Sequence, residues 1–502
     1  MNPRIRSFAA LASSLALALP ALALAQGDEA IPARPERLRY GPLEFELPRA
    51  EELRHELPGG VVAYVVPDPA LPLVNIVLHL RTGAFREPAE KPGLAGLTAR
   101  LMRVGGTANR TPEELDEAAD FLAAQIAVSS GDTSARASLN VLTSGLDEGL
   151  DLLFDVLRNP RFDEGRLEVE KAKALEAMKQ RNDDAGDIQS REWSWLLYGR
   201  DHFSSRLATA AELASIRRTD LVDFHRRTWG SQGMVIAVSG DVDPPAIVAE
   251  LGRRLEGFRA AEEAAWPPVG PEFTPTPGLY RVEKEIPQGK VSVGHRSIRV
   301  TDWSSPDIYA LSVMNDILGG GGFTSRLVQR VRSDEGLAYG AGSSFGLGAF
   351  WPTTFSAAFA SKSPTVAYAL EIVLEEIEKI RNAPVSEEEL RVAKSSFVET
   401  FPRSFESASQ IAATFSQDDI LGRPHDYWYA YRKRIEAVGI DDVKRVAERY
   451  LKPAELVLLV VGKWSEIAPG DPQGRATMAQ FAGGRATELP LRDPLTLEPI
   501  GD

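Results

Sequence analysis

Two kinds of hydrophobic pattern alternate along this chain. Short runs rich in β-branched residues, such as 61–66 and 73–80, predict strands, whereas segments with apolar residues three or four positions apart, such as 146–157, predict amphipathic helices. Long helical segments separate short groups of strands throughout the sequence. The pattern therefore predicts an α+β protein, with helices packed against mostly antiparallel β-sheets.

Local signals place several helix boundaries. Thr111 is followed by Pro112 and an acidic pair, a combination typical of a capped helix start, and Ser386 precedes a run of three glutamates in the same way. Pro160 lacks a backbone donor and restricts Asn159, so the helix through 146–157 is predicted to end there.

The same arrangement occurs twice. A charged helical segment leads into a strongly apolar strand at 213–229 and 234–241, and again at 440–450 and 456–463. This duplication predicts two homologous domains, 41–255 and 278–467. Residues 256–277 include Trp266 and five prolines, a composition typical of a stiff interdomain linker, and the Gly- and Pro-bearing tail 468–502 is predicted to be loosely held.

The N-terminus predicts export. Arg4 and Arg6 precede an apolar run, 8–25, that ends in small residues at Ala23 and Ala25, which is typical of a signal peptide (1–25) cleaved near Ala25. An uncleaved membrane anchor is the alternative, although Pro20 and the small residues favour cleavage. Since no later run is long and apolar enough to span a bilayer, we expect a periplasmic or secreted protein without a stable membrane span.

Composition narrows the possible functions. With 43% hydrophobic and 25% charged residues, the chain resembles an ordinary folded soluble protein. Its net charge of -14 argues against nucleic-acid partners and against general binding to anionic lipid. The absence of cysteine excludes disulfides, thiolate metal sites and a cysteine nucleophile.

The first domain carries a family resemblance. Residues 83–87 and 93–102 resemble the first helix region of the pitrilysin and insulinase zinc peptidases, and the likeness extends over about 53–463. In active members this helix bears His-x-x-Glu-His, in which two His bind zinc and the Glu activates the metal-bound water. The matching positions here are Gly96, Ala99 and Arg100, so the motif is lost; by the family's spacing, the third ligand falls at Glu176.

These substitutions suggest two interpretations of the helix. Leu94, Leu97, Leu101 and Val104 have the spacing of one buried stripe, so the segment is predicted to be a core helix. We also hypothesise that Arg100 places its charge where zinc would sit and pairs with Glu176, although a solvated helical glutamate is the simpler interpretation of that position.

The second domain retains a different part of the family signature. Residues 319–327 and 331–339 resemble the C-terminal-domain signature, in which an Arg and a Tyr seven residues later reach the substrate backbone; Arg332 and Tyr339 match. The resemblance implies substrate binding by this pair and by Gly320 and Gly321, in a chamber of which this chain forms one clamshell-like half. The glycine run lacks the Lys-Ser/Thr ending of a phosphate loop, so we predict a flexible turn near the substrate entrance, with peptide added along a sheet edge.

Three functions follow from these observations. The resemblance implies a non-catalytic, substrate-binding subunit of a periplasmic heterodimeric zinc endopeptidase. Alone it would be inert and without a cofactor of its own, because a homologous zinc-motif partner supplies the metal. The substrate would be a peptide or an unfolded polypeptide. The alternative is an inactive peptide-binding or scaffold protein of the cell envelope. A third possibility, zinc held by unfamiliar ligands such as His55, His79 and His295, has no standard spacing behind it.

Overall fold

The structure is a computed structural model that describes residues 45–262, 266, 268 and 270–500. The predicted signal peptide lies outside the described residues, as do 263–265, 267 and 269 of the predicted linker. Leu47–Asp502 forms one compact unit. Among the residues described, no helix has both the length and the apolar character needed to cross a membrane.

The N-terminal half contains six strands and nine helices within the described residues. Its strands are β1 Arg54–Leu57, β2 Val61–Pro67, β3 Leu73–Leu80, β4 Gln125–Ser130, β5 Ala135–Leu142 and β6 Val235–Gly240. Its helices are α1 Ala50–Leu53, α2 Leu94–Val104, α3 Pro112–Phe121, α4 Leu146–Arg158, α5 Glu164–Lys179, α6 Ala185–Tyr198, α7 Ala210–Ser215, α8 Arg218–Thr228 and α9 Pro244–Leu255.

The C-terminal half begins at Gly278. Its strands are β7 Gly278–Glu283, β8 Gln288–Arg296, β9 Ile298–Arg299, β10 Ala338–Phe345, β11 Leu347–Gly348, β12 Thr354–Lys362, β13 Val457–Gly462 and β14 Ala486–Leu489. Its helices are α10 Pro306–Asn315, α11 Val366–Asn382, α12 Glu387–Thr400, α13 Ala408–Leu421, α14 Tyr427–Glu436, α15 Ile440–Tyr450 and α16 Trp464–Ile467. Two π-helical turns, Asp316–Gly320 and Val328–Asp334, lie between α10 and β10.

The strand orders confirm the duplication. One sheet has the order β1-β2-β6-β3-β5-β4, and the other, taken from its opposite edge, has the order β14-β7-β13-β8-β12-β10. The pairs β2–β6 and β7–β13 are both parallel, and the strands that follow in each sheet are antiparallel. The two sheets differ at one edge, where β1 is antiparallel to β2 but β14 is parallel to β7. The predicted α+β fold with mostly antiparallel sheets is therefore confirmed.

Each sheet is covered on its second face by a helix from the other half. Ala185 and Ile188 of α6 pack against Val461 and its neighbours in the C-terminal sheet, while Ala412 of α13 packs against Ala237 and its neighbours in the N-terminal sheet. This exchange buries apolar surface from both halves at once. It joins the two homologous halves into one compact unit.

The predicted helix boundaries are confirmed. Thr111 and Ser386 both form capping boxes, in which the side chain accepts from the third residue of the helix and that residue's carboxylate accepts from the cap. The helix α4 ends at Arg158, next to Asn159. The hydroxyl and carboxylate partners satisfy backbone donors that a helix start otherwise leaves unpaired.

The prediction of a loosely held tail is wrong for 468–500. Strand β14 adds to the edge of the C-terminal sheet, and Arg492 is buried, with its Nε 3.2 Å from Glu192 Oε1 on α6. The carbonyl of Arg492 accepts from Asn182 Nδ2 at 2.7 Å, and that of Leu495 accepts from the backbone of Ala210. The segment was misjudged because its Gly and Pro content says nothing about these long-range partners.

Candidate functional site

The helix α2 is fixed by a carboxylate at its start. Glu87 accepts hydrogen bonds from the backbone nitrogens of Gly93, at 3.1 Å, and Ala95, at 2.7 Å, and lies 3.6 Å from an Arg206 nitrogen. Burial raises the pKa of Glu87, and these donors oppose the rise. A buried carboxylate at a helix N-terminus also interacts favourably with the helix dipole. This role was missed from the sequence, although Glu87 ends the 83–87 signature.

The residues at the family's metal-binding positions do not fit zinc. Gly96 is exposed and offers no side-chain donor, Ala99 is fully buried in the core, and Arg100 carries a fixed positive charge. Zinc needs three or four N, O or S ligands that converge on one point. Within the described ranges, no group of three or more His, Asp or Glu side chains could hold a metal ion. As predicted for a core helix, Leu94, Leu97 and Leu101 are buried, and Val104 is partly so.

The predicted ion pair between Arg100 and Glu176 is wrong. Arg100 Nε donates to Glu170 Oε2 at 3.1 Å, whereas Glu176 accepts from Lys179 Nζ at 2.6 Å in an exposed pair on α5. Partial burial opposes ionisation of Glu170, but hydrogen bonds from Lys173 and Arg100 outweigh it and lower the pKa of Glu170. The two glutamates are six residues apart on one helix, so they face different directions and only Glu170 faces α2.

The positions of the three histidines do not support the hypothesis that they hold zinc together. His55, His79 and His295 lie on β1, β3 and β8. His295 is already engaged, with Nδ1 2.7 Å from the Arg296 carbonyl and Nε2 accepting from the Lys452 backbone at 3.1 Å. Burial, and then the charge of Arg136, lowers the pKa of His79 to about 4. These histidines belong to the packing of two different sheets.

A cavity of about 650 Å³ opens beside Gly96. It is bounded by the start of α2, the end of β4 and its following loop, the end of α5 and the turn after it, one face of α6 over 187–194, and the segment 203–207. Burial raises the pKa of its Asp132, and the charge of His202 opposes the rise. Of the four positions that the resemblance assigns to the metal site, Gly96 lines this cavity.

Arg332 and Tyr339 come together in the C-terminal half. The guanidinium carbon of Arg332 lies 4.8 Å from the ring centroid of Tyr339 and 4.7 Å from that of Phe323. Such contacts orient a guanidinium by its interaction with the aromatic faces. No hydrogen bond or ion pair to another described residue occupies the Arg332 nitrogens, so their donors are available to a ligand.

A β-bulge aims Tyr339 outward. Between Ala338 and Ala341 the register of β10 against β12 slips, so that β10 holds one extra residue at Tyr339 and Gly340. The side chain of Tyr339 is 89% exposed and that of Phe323 is 68% exposed. Because β10 is the outer strand of its sheet, this aromatic pair with Arg332 lies at a strand edge. Phe323 was not predicted as a site residue, although it follows the glycine run directly.

The glycine run forms a turn after α10, as predicted, but the turn is close-packed where a flexible one was predicted. A Cβ at Gly319 would clash with the backbone nitrogen of Ser343 in β10, and one at Gly320 would lie 2.6 Å from Asn315 Nδ2. Gly321 packs against Asp316 in the same way, and Gly322 has a positive φ of 60°. Gly320 and Gly321 therefore hold the turn that carries Phe323, and their predicted contact with substrate stays a prediction.

Taken together, the groups at the C-terminal site are of the kinds that can hold an extended peptide. Arg332 offers donors to carbonyl or carboxylate oxygens, Tyr339 offers a hydroxyl, and an outer strand offers backbone groups. At the other edge strand, β4, the Arg103 Nε already donates to the Ile126 carbonyl at 3.2 Å.

Comparisons with known proteins match both halves. The family model described as "Insulinase (Peptidase family M16)" matches residues 63–193, and the one described as "Peptidase M16 inactive domain" matches 215–397. An uncharacterised zinc protease of Mycobacterium tuberculosis is 27% identical over 79% of this chain and 90% of its own length. A probable mitochondrial-processing peptidase subunit beta of Arabidopsis thaliana is 23% identical over 81% of this chain and 77% of its own.

Solved structures show the same fold. The peptidase M16 inactive domain from Pseudomonas fluorescens superposes with a TM-score of 0.72 and 23% identity, covering 82% of this chain and 97% of the other. The periplasmic protease PqqL from Escherichia coli gives a TM-score of 0.66 with 16% identity, over 81% of this chain and 46% of that one. The family models, the duplicated sheets and the signature at 319–339 agree: the chain belongs to the insulinase family of M16 peptidases, as a member that lacks the His-x-x-Glu-His motif.

Proposed function

We propose that this chain is the non-catalytic, substrate-binding subunit of a two-chain zinc endopeptidase. A homologous subunit with His-x-x-Glu-His supplies the zinc and activates water, while this chain supplies Arg332 and Tyr339. The pair acts in the periplasm or outside the cell, after cleavage of the signal peptide near Ala25. Its substrate is a peptide or an unfolded polypeptide segment.

This proposal rests on one contrast: the metal-binding residues are lost, whereas the guanidinium of Arg332 is oriented and has unengaged donors. The metal-ligand positions hold Gly96, Ala99 and Arg100, yet the Arg332 side chain is held between two aromatic rings with its donors unoccupied. A protein with only a structural role has no need for an oriented guanidinium and a bulge that exposes Tyr339. One relative, the mitochondrial-processing peptidase, is itself named as a subunit, which supports a two-chain arrangement.

The test is co-expression with a homologous chain that carries the zinc motif, followed by cleavage of a quenched fluorescent peptide. The chain alone should be inactive and the pair active. Arg332→Ala and Tyr339→Ala should each lower kcat/KM of the pair by about 10²-fold, the order expected when a positioning hydrogen-bond donor is removed.

Two further variants keep this test specific. Arg391→Ala removes an exposed arginine of α12 that pairs with Glu388, so it should leave kcat/KM unchanged within about twofold. Arg332→Lys keeps the charge but loses the planar fork, and should recover only part of the activity. If Arg332→Ala and Arg391→Ala behaved alike, the substrate-binding assignment would fail. Peptide binding without cleavage in any pairing would instead favour the inactive envelope-protein alternative.

A further inference from the structure

We infer that the cavity beside α2 binds a carboxylate of a peptide ligand through the guanidinium groups of Arg181 and Arg191. That this ligand is a peptide rests on the proposed function. The binding itself belongs to this chain and can be measured without a partner.

Arg191 provides the first observation. Its side chain lines the cavity and the residue is only 6% exposed. Nε donates to Glu192 at 3.1 Å and one terminal nitrogen donates to Asn182 at 3.2 Å, but the other terminal nitrogen is buried without a hydrogen-bond partner in the described chain. Leaving a buried charged donor unsatisfied costs free energy, so such a group points to a missing acceptor.

Arg181 provides the second observation. It lines the same cavity, and the hydrogen bond found for it runs from one terminal nitrogen to the carbonyl of Pro494, at 3.1 Å. Burial, and then the positive charge of Arg191, lowers the pKa of Arg181. Because both guanidinium groups line this cavity and carry the same charge, an anion inside it is attracted by both, and a carboxylate matches the planar donor fork.

The remaining charges around the cavity leave room for such an anion. Glu87 is held by two backbone nitrogens and Arg206, so this ion pair is internally balanced. The charge of His202 acts on Asp132, and Glu192 forms ion pairs with both Arg191 and Arg492. Asp187 lines the cavity from an exposed position one helical turn before Arg191, and its charge would weaken anion binding.

A peptide can reach the cavity along the sheet. Ser130, the last residue of β4, lines it, and β4 is the outer strand of the N-terminal sheet. Arg103 covers the Ile126 carbonyl, but the backbone groups of Val128 and Ser130 face the same side by strand alternation. A strand added there would have one end beside Arg181 and Arg191.

The experiment uses the mature chain alone and a fluorescent peptide without acidic side chains, prepared as a C-terminal acid and as a C-terminal amide. A third, amidated peptide carries one aspartate, to distinguish a chain terminus from an acidic side chain as the source of the carboxylate. Fluorescence anisotropy should show the acid, the aspartate peptide or both binding about tenfold tighter than the plain amide. Equal affinity of all three would overturn the inference.

Variants locate the site. Arg181→Gln should weaken binding of the preferred carboxylate peptide about tenfold and leave the amide unchanged, whereas Asp187→Asn should tighten it two- to threefold, roughly the effect of one screened charge. Arg200→Gln is the matched control, because Arg200 faces a neighbouring cavity and lies over Trp195. If Arg181→Gln and Arg200→Gln had the same effect, the assignment would be wrong.

A cavity-filling variant covers the case in which Arg181→Gln does not fold. Gly96→Leu places a side chain in open space, since no atom lies within 4 Å of its Cβ position, and should abolish the preference for the carboxylate peptide. A preference that survived Gly96→Leu would overturn the inference. Equal binding of acid, aspartate and amide peptides alongside a cleavage loss in Arg332→Ala would sink this inference and leave the proposed function standing. A carboxylate preference, together with no cleavage by any pairing of subunits, would contradict the proposed function and leave this inference standing.

Discussion

The region of α2 and β4 in the N-terminal half and the region of α10 and β10 in the C-terminal half occupy equivalent places. Each helix follows the strand next to the centre of its sheet, and each strand lies at the outer edge. The first region has its polar groups tied internally: Arg100 to Glu170, Glu87 to the start of α2, and Arg103 to Ile126. In the second region, Arg332 and Tyr339 remain available.

The difference shows where the duplication has diverged. A duplicated fold provides two outer strands, each with unpaired backbone groups that must be covered or used. In the N-terminal half, Arg103 covers part of β4 and is itself fixed by Asp116. In the C-terminal half, a bulge turns the edge outward and displays an aromatic pair. Beside the outer strands, the exposed side chains that remain unengaged therefore lie at β10 and not at β4.

The largest test of this comparison is Ala99→Glu, which restores the carboxylate of the lost motif. Ala99 is completely buried, so we expect the free energy of unfolding to fall by about 3–4 kcal/mol, the cost of an unpaired buried charge. Urea denaturation followed by circular dichroism measures the change.

Gly96→Glu is the matched control for that variant. It adds the same charge to the same helix at an exposed position with open space around it, so it should change stability by less than about 1 kcal/mol. Equal changes in the free energy of unfolding at positions 96 and 99 would mean that position 99 is not part of the packed core. The contrast between the two halves would then weaken.

A second test uses Asp316, which begins the glycine turn. Burial raises its pKa to about 6, and no cation among the described residues lies within ion-pair distance. A carboxyl group with a raised pKa favours the folded state when protonated, so its stabilising effect is complete below about pH 4 and is lost as the pH rises through about 6. Asp316→Asn should therefore gain about 2 kcal/mol of stability relative to wild type between roughly pH 4 and pH 7.5.

The control for this pH dependence has the opposite sign. Hydrogen bonds from the Ser304 hydroxyl and backbone lower the pKa of Asp302, so its contribution is lost as the pH falls. Thermal unfolding of Asp302→Asn across the same pH range should show a relative gain toward low pH. A flat difference for Asp316→Asn would place that carboxylate in contact with solvent.

Much of the fold followed from local pattern. The strands at 61–66 and 73–80, the capping boxes at Thr111 and Ser386, and the duplication were predicted because period and capping chemistry are encoded by near neighbours. Strand β14 and the exchanged helices α6 and α13 were not predicted, because their partners lie far away in sequence.

The same distinction between local and long-range information applies to the candidate site. Arg332 and Tyr339 were found from a motif, and their proximity depends on a short segment. The partner of Arg100 depended instead on which face of α5 meets α2, and Glu170 and Glu176 look alike in the sequence. Arg181, in the turn after α5, and Arg191, on α6, carried no signal in the sequence, since an arginine in such a segment is usually solvated.

The smallest test concerns the edge of β4. Arg103→Gln removes the donor to the Ile126 carbonyl and the ion pair with Asp116, so we expect the free energy of unfolding to fall by about 1 kcal/mol, the usual net value of one hydrogen bond. Arg166→Gln, which breaks an exposed pair with Glu113 but no backbone contact, should cost no more than about 0.5 kcal/mol. Chemical denaturation of both variants, with hydrogen exchange of 125–130 as the local readout, decides between them. Faster exchange in Arg103→Gln alone would show that Arg103 protects the outer edge of β4. Equal exchange in both variants would mean that β4 is as accessible as β10, and the contrast between the two halves at their outer strands would be lost.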